Sequence, residues 1–149
     1  MPKNIPATRI HFHFLKAGFA FKDRGRLKHF LARLFRAETI SLEQLDYVFC
    51  SDPYLLAINQ THLNHNYFTD TVSFSLAEPD QPVVGEIYIS IDRVRDNARQ
   101  YGCSLSEELH RVIFHGALHL CGYPDRTPRQ KKRMTQRENE LLSRYLTSV

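Results

Sequence analysis

Residues 115–125 read HGALHLCGYPD and place two imidazoles and one carboxylate at spacings that suit a metal site. His115 and His119 stand four residues apart, so on a helix their side chains project from the same face. Gly122 can adopt the positive φ that ends a helix and turns the chain back. Asp125 follows six residues after His119, where the returning chain can bring its carboxylate to the same ion. Two histidines and one carboxylate form a known ligand set for catalytic zinc.

A second interpretation of the same stretch stays open on these residues alone. The chain contains eight histidines, so a pair at this spacing also arises readily by chance. In that case His115 and His119 are buried histidines held by hydrogen bonds, and the residues after them form an ordinary turn. Cys121 offers a competing thiolate, but it lies two residues beyond His119 and is expected to point away from the pair.

The remaining sequence predicts an α+β fold, with a small mixed sheet of about four strands packed by about five helices. Alternating patterns predict strands over Arg9–Leu15, Leu45–Cys50, Asp70–Leu76 and Gly85–Ile91, the last two as antiparallel neighbours. Helical spacing predicts helices over Asp23–Ala37, from Ser51 or Asp52 to about His62, from Asp92 to Tyr101, from Ser104 to Gly122, and from Thr127 to about Tyr145. Asp92 is the expected N-terminal cap of the third of these helices. Ser104 with Glu107, and Thr127 with Gln130, have the spacing of capping boxes. The metal site is expected on a central helix of one domain that spans residues 1–149.

Composition excludes few classes of protein. The apolar fraction of 42% and the charged fraction of 24% are ordinary for a globular protein. The formal charge of +4 and pI of about 9.1 allow a polyanionic partner without requiring one. Three cysteines at unrelated spacings give no disulfide framework. With neither a signal peptide nor a long apolar run in the sequence, we expect a cytoplasmic protein with no membrane partner.

The motif HGALHLCGYPD closely resembles the signature HGxLHLxGYxH of the YbeY family, the metal-dependent endoribonucleases and ribosomal RNA maturation factors. TDTVSFSL followed by GEIYISID resembles the paired strands TDVLSFPL and GDIxIS of that family. SLSEELHRVIFHG resembles the segment that leads into the signature. The resemblance covers most of the chain from about Leu45 onward, and the order of elements agrees.

This resemblance implies a zinc-dependent endoribonuclease that hydrolyses RNA phosphodiester bonds and prefers single strands. It implies RNA as the partner, chiefly ribosomal RNA and the small ribosomal subunit. The implied role is maturation of the 3′ end of the small-subunit rRNA, with ribosome biogenesis and quality control. The family uses three histidine ligands; His115 and His119 match the first two, whereas Asp125 stands at the third. A carboxylate there makes bound water less acidic and the site more open to other divalent ions.

Two alternative functions follow from the same residues. One is a ribosome-assembly or RNA-binding factor whose metal is structural and which has little catalytic activity. The other is a metal hydrolase acting on another substrate, such as a peptide. The residue after His115 is Gly116, whereas zinc peptidases of the HExxH type carry a glutamate base at that position. This difference argues against peptidase chemistry of that type.

Further residues are predicted to serve the site. Glu86 is the predicted catalytic or supporting carboxylate and Asp70 a further candidate, although strand-end carboxylates more often cap or pair with arginine. The family carries an arginine in a YRG segment before the first of these strands, whereas HLNHNYFTD has none, so His62 or His65 could meet the RNA instead. Basic side chains near the start of the last helix are expected to bind phosphates: Arg129, Lys131, Lys132, Arg133 and Arg137. Glu138 and Glu140 dilute this run, so a solvated helix face is the alternative.

Overall fold

A four-stranded mixed sheet forms the centre of the fold in the computed structural model, which describes residues 6–64 and 68–147. The strands are β1 (Ile10–Phe14), β2 (Leu42–Cys50), β3 (Thr71–Ser75) and β4 (Val83–Ser90), in the spatial order β1-β2-β4-β3. The helices are α1 (Arg24–Ala37), α2 (Asp52–His62), α3 (Ile91–Tyr101), α4 (Leu105–Leu120) and α5 (Pro128–Thr147), after a short 3-10 turn at Ala7–Arg9. This architecture confirms the predicted α+β fold.

Strand pairing follows the alternation of the sequence. β1 pairs with β2 and β2 with β4 in parallel, whereas β3 and β4 are antiparallel with Thr71 opposite Ile89, as their patterns predict. Successive side chains of a strand point to opposite faces. In β4, Ile87 and Ile89 are fully buried, while the alternating residues Glu86 and Tyr88 are half-buried on the other face. The two faces of β4 therefore meet different layers of the protein.

Helix α4 packs across the sheet and holds most of the site. Its apolar stripe is buried, including Ile113, Phe114 and Leu118. Close approach to β4 depends on the absence of a side chain at residue 116, because a Cβ on Gly116 would lie 2.8 Å from Ile87 Cγ2. This packing fixes the height of the neighbouring His115 above the sheet.

Helix caps set where the elements begin, and one predicted cap is wrong. Ser104 Oγ accepts the backbone N–H of Glu107 at 3.0 Å, and Thr127 and Gln130 exchange reciprocal bonds at 3.1 Å, as their spacing predicts. Helix α3, however, is capped by Ser90, whose Oγ accepts from the Arg93 N–H, and not by Asp92. Asp92 lies within the first turn and instead accepts the Asp52 N–H at 2.8 Å.

Within the described residues, no helix is both long and apolar enough to cross a lipid bilayer.

Candidate metal centre and active-site cleft

The last two turns of α4 carry His115 and His119 into a cleft of about 740 Å³. The cleft lies between α4, the start of α5, strand β3 and the ends of α2 and α3. Both histidines are half-buried, with side-chain exposures of 25% and 28%. The α4 positions that line the cleft have the spacing of one helix face: Glu108, Arg111, Val112, His115 and His119. One helical stripe therefore forms the floor of the cleft.

Three potential ligand atoms converge on this floor. His119 Nε2 lies 3.0 Å from His115 Nε2 and 3.1 Å from Asp125 Oδ2, and His115 Nε2 lies 3.5 Å from the same oxygen. Among the described residues, this is the one group of three or more His, Cys, Asp or Glu side chains placed to share an ion. Ligands held at about 2.0–2.1 Å in a tetrahedral site are separated by roughly 3.3 Å, so the triangle fits zinc.

The second nitrogen of each imidazole is already engaged. His119 Nδ1 lies 2.9 Å from the backbone oxygen of Tyr123, and His115 Nδ1 lies 2.7 Å from Glu138 Oε2. A carbonyl oxygen only accepts, so Nδ1 of His119 must carry its hydrogen. The Glu138 carboxylate favours the same tautomer of His115. Both Nε2 lone pairs are then directed into the cleft.

Electrostatics favour a cation at this point. Two imidazole lone pairs and a carboxylate oxygen face one another, and three acceptors in contact need a shared positive charge. Without a metal, a proton supplies it: burial opposes protonation of His115, but the hydrogen bond and charge of Glu138, with Asp70 and Asp125, raise its pKa overall. A divalent ion would replace that proton and balance the charge of the surrounding carboxylates. The three residues His115, His119 and Asp125 therefore fit a metal ion.

Asp125 reaches the histidines through a fixed turn after α4. Gly122 takes φ +98°, and its N–H donates to the His119 carbonyl at 3.0 Å. The Tyr123 hydroxyl donates to Glu38 Oε1 at 2.9 Å, and Arg137 donates to the other Glu38 oxygen at 3.0 Å. Since the Tyr123 carbonyl holds His119, this clamp stabilises both the turn and the imidazole.

Cys121 lies outside the ligand group, as the sequence predicts. Its side chain packs against the hydrophobic core. Burial and the charge of Glu38 raise the pKa of its thiol to about 12, so the thiolate needed for metal ligation is disfavoured.

Two further carboxylates in the cleft have shifted pKa values. Burial raises the pKa of Asp70, opposed by the charge of His115, and Asn97 donates to Asp70 Oδ2 at 3.2 Å. Burial raises the pKa of Glu108 to about 7, although Arg111 opposes the shift. Both carboxyl groups therefore keep a proton to higher pH than ordinary carboxylates do.

Glu86 is not brought to the histidines. It lies on the face of β4 opposite α4, where it accepts a hydrogen bond from the Tyr88 hydroxyl at 3.1 Å. Among the described residues that line the cleft, Asp70 is present and Glu86 is not. The physical reason is strand alternation: Ile87 takes the inward position, so its neighbour Glu86 must face outward.

Of the five predicted basic residues, Lys131 lines the cleft and the other four lie outside its lining. Arg129, Lys132 and Arg133 are exposed, and Arg133 lies 5.4 Å from the centre of the Tyr123 ring. The described basic side chains that line the cleft are Lys131 and Arg111. His62 is exposed and its ring contacts Phe74 at 5.9 Å, whereas His65 lies outside the described residues.

Glu138 and Arg111 are the site residues that the sequence analysis did not identify. Glu138 is 6% exposed and lies on the buried stripe of α5 with Met134, Leu141 and Tyr145. A single glutamate at an apolar position of a helical repeat was the available signal. Its second oxygen accepts from Arg111 at 3.4 Å.

Comparison with known proteins agrees with this geometry. The sequence model of one family, described as "Endoribonuclease YbeY", matches residues 20–146. A protein of that name from Cytophaga hutchinsonii is 41% identical over 125 residues, which cover 84% of this chain and 87% of the relative. Another, from Flavobacterium psychrophilum, is 39% identical over 136 residues, covering 91% and 96%.

A solved structure shares the fold. The solution structure of a Thermotoga maritima protein superimposes with a TM-score of 0.64 at 27% identity, covering 90% of this chain and 88% of the other. The family match spans far more than half of the sequence and includes every residue of the candidate site. This protein therefore belongs to the YbeY family of endoribonucleases.

Proposed function

We propose that this protein is a metal-dependent endoribonuclease that holds one zinc ion between His115, His119 and Asp125. The observation that carries the proposal is the convergence of their three acceptor atoms, separated by 3.0, 3.1 and 3.5 Å. Family membership supplies the substrate class, because the relatives are named endoribonucleases. Asp125 also allows the site to bind other divalent ions, since carboxylates suit harder metals than imidazoles do.

A metal ion held there supplies Lewis-acid chemistry, which acidifies water and polarises a phosphoryl oxygen. The protein's own groups prepare the site: Glu138 and the Tyr123 carbonyl orient the two imidazoles through Nδ1. Asp70 is the carboxylate that we infer accepts a proton, because it lines the cleft and its pKa is raised by burial.

RNA phosphates are expected to follow the positive side chains at this end of the protein. Lys131 would meet the strand inside the cleft, and Arg129, Lys132 and Arg133 where it leaves the cleft. His65 is proposed to contact RNA from the segment that carries an arginine in the family pattern. The preference for single strands rests on the family resemblance.

The proposed physiological substrate is ribosomal RNA, near the 3′ end of the small-subunit rRNA. The protein would act in the cytoplasm, in contact with the small ribosomal subunit, during ribosome biogenesis and quality control. This assignment is supported by membership of the family and by the basic surface beside the cleft.

One other function is favoured by a specific observation. Arg129, Lys132 and Arg133 are exposed and lie outside the cleft lining, so RNA could bind along them. The metal would then have a structural role, as in an assembly factor. A peptidase of the HExxH type is disfavoured, because position 116 would need a glutamate and even a Cβ there lies 2.8 Å from Ile87.

Cleavage of a labelled RNA that contains both single-stranded and duplex segments tests the proposal. The metal-replete protein should cut the single strands, and a chelator or His115→Ala should abolish cleavage while the fold is retained by circular dichroism. His11→Ala is the matched control, since His11 is exposed on the far strand β1. RNA that is bound but never cut by the metal-replete protein would favour the assembly factor.

A further inference from the structure

The cleft carries polar atoms that the metal-binding group does not use. Within the part of the chain that the structure describes, the buried side-chain oxygens without a hydrogen-bond partner are Thr71 Oγ1, Ser73 Oγ and Glu108 Oε1. All three residues line the cleft. A buried oxygen without a hydrogen-bond partner destabilises the protein, so three around one cleft indicate a cleft suited to a polar ligand.

Glu108 is the most informative of these groups. It is 3% exposed, and its Oε1 lies 3.8 Å from Arg111 Nε, too far for a hydrogen bond. Arg111 is held toward α5 by Asn139 Oδ1 at 2.8 Å and Glu138 Oε1 at 3.4 Å. Asn97 hydrogen-bonds to the Glu108 carboxyl group, but Glu108 Oε1 accepts no hydrogen bond and lies beside the fixed Arg111 guanidinium.

An aromatic ring also lines the cleft. Tyr101, the last residue of α3, is 67% exposed and lines the cleft. Large exposed aromatic rings serve as stacking surfaces for unpaired bases. A stacking ring, a hydrogen-bond acceptor and a donor are the three elements that recognise the edge of a nucleobase.

We propose that Tyr101, Glu108 and Arg111 form a nucleobase subsite that selects guanine beside the cleaved bond. Guanine presents N–H donors next to a carbonyl on one edge, which matches the Glu108 carboxylate and the Arg111 guanidinium. Glu108 lies seven residues before His115, about 10 Å along the helix. The selected base therefore belongs to a nucleotide adjoining the phosphate at the histidines, so the inference rests on the proposed nuclease function.

Binding without cleavage tests the subsite directly. Chelator-treated protein is titrated with uridine hexamers that contain one guanosine, one adenosine or neither, and affinity is measured by fluorescence anisotropy. The wild-type protein should prefer the guanosine hexamer by roughly tenfold. Glu108→Gln should remove the preference, and Tyr101→Ala should weaken all three complexes by about fivefold or more. Glu107→Gln is the matched control, because Glu107 is adjacent but outside the residues that line the cleft.

The outcomes separate the subsite from the nuclease function. Equal affinity of the wild-type protein for the three hexamers, or an unchanged preference in Glu108→Gln, overturns the subsite. Tyr101→Ala changes an exposed residue, so its result does not depend on refolding a buried position. Cleavage of RNA without base preference would leave the nuclease function intact and the subsite refuted. A preference for guanosine without any cleavage would support the subsite and refute the nuclease function.

Discussion

Glu138 Oε2 lies 2.7 Å from His115 Nδ1 and joins α5 to the candidate metal-binding group on α4. Glu138 is nearly fully buried, and its other oxygen accepts from Arg111. A carboxylate in this position fixes the imidazole tautomer, orients the ring and makes Nε2 more basic. The strength of metal binding should therefore depend on a residue that does not touch the metal.

Glu138→Gln is expected to weaken zinc binding by about 10–100-fold, because the amide can still accept a hydrogen bond but carries no charge. Competition with a chromophoric chelator measures the affinity, and circular dichroism checks the fold. Glu140→Gln, two residues further along α5 and exposed, should bind zinc like the wild-type protein. Equal affinities of the two variants would show that Glu138 only supports packing.

Asp125 is expected to control which metal the site prefers. Asp125→Ala should lower zinc affinity by about tenfold or more, because it removes one of three ligands and leaves the imidazoles alone. Asp125→His should keep zinc binding and raise the preference for zinc over manganese, since imidazole is a softer ligand than carboxylate. Metal content after equilibration with both ions, measured by mass spectrometry, gives the preference.

An exposed aspartate provides the reference for this series. Asp80 lies in the exposed loop between β3 and β4, so Asp80→Ala should leave the metal content unchanged. If Asp125→Ala also retains full zinc affinity, the carboxylate is not a ligand. The site would then rest on the two histidines and another donor.

Local rules predicted most of the framework of this site. The capping boxes at Ser104 and Thr127 depend on residues three apart, and the spacing of His115 and His119 depends on a single helical turn, so the sequence alone specifies them. The glycine that turns the chain toward Asp125 is equally local. These features were predictable because a few neighbouring residues determine them.

Contacts between distant elements could not be derived in the same way. Glu138 reaches His115 across 23 residues, and Tyr123 reaches Glu38 across 85. Such pairs depend on how α5 and α1 pack against α4, which no local pattern encodes. The position of Glu86 away from the cleft has the same origin, since its direction depends on which face of β4 meets α4.

Glu108 should make the metal-free protein less stable as the pH rises. Burial raises its pKa from 4.5 to about 7, so between these values the unfolded chain ionises while the folded protein keeps the proton. The stabilisation is complete below pH 4.5 and is lost as the pH passes 7. Glu108→Gln removes this dependence, and it should exceed the wild-type stability at pH 8 by at most about 3 kcal/mol, less after solvent screening.

Urea denaturation at pH 5 and pH 8, with a chelator present, measures this difference in unfolding free energy. Glu107→Gln, the neighbouring and less buried position, should show no pH-dependent gain. A Glu108→Gln protein whose advantage is the same at both pH values would mean that Glu108 is ionised in the folded protein at pH 5.

Lys131 and Lys132 differ in position although they are adjacent in sequence. Lys131 lines the cleft with His115 and Asp125, whereas Lys132 is exposed outside the lining. For single-stranded RNA, each lost phosphate contact should reduce the slope of log affinity against log salt by about 0.7. Lys131→Ala should show that reduction together with a lower kcat/KM, because it removes charge beside the cleaved phosphate. Lys132→Ala should change the slope no more than Lys131→Ala and leave kcat unaltered. If Lys132→Ala has the larger effect on both, the RNA follows the outer face of α5, and the cleft is not its main path.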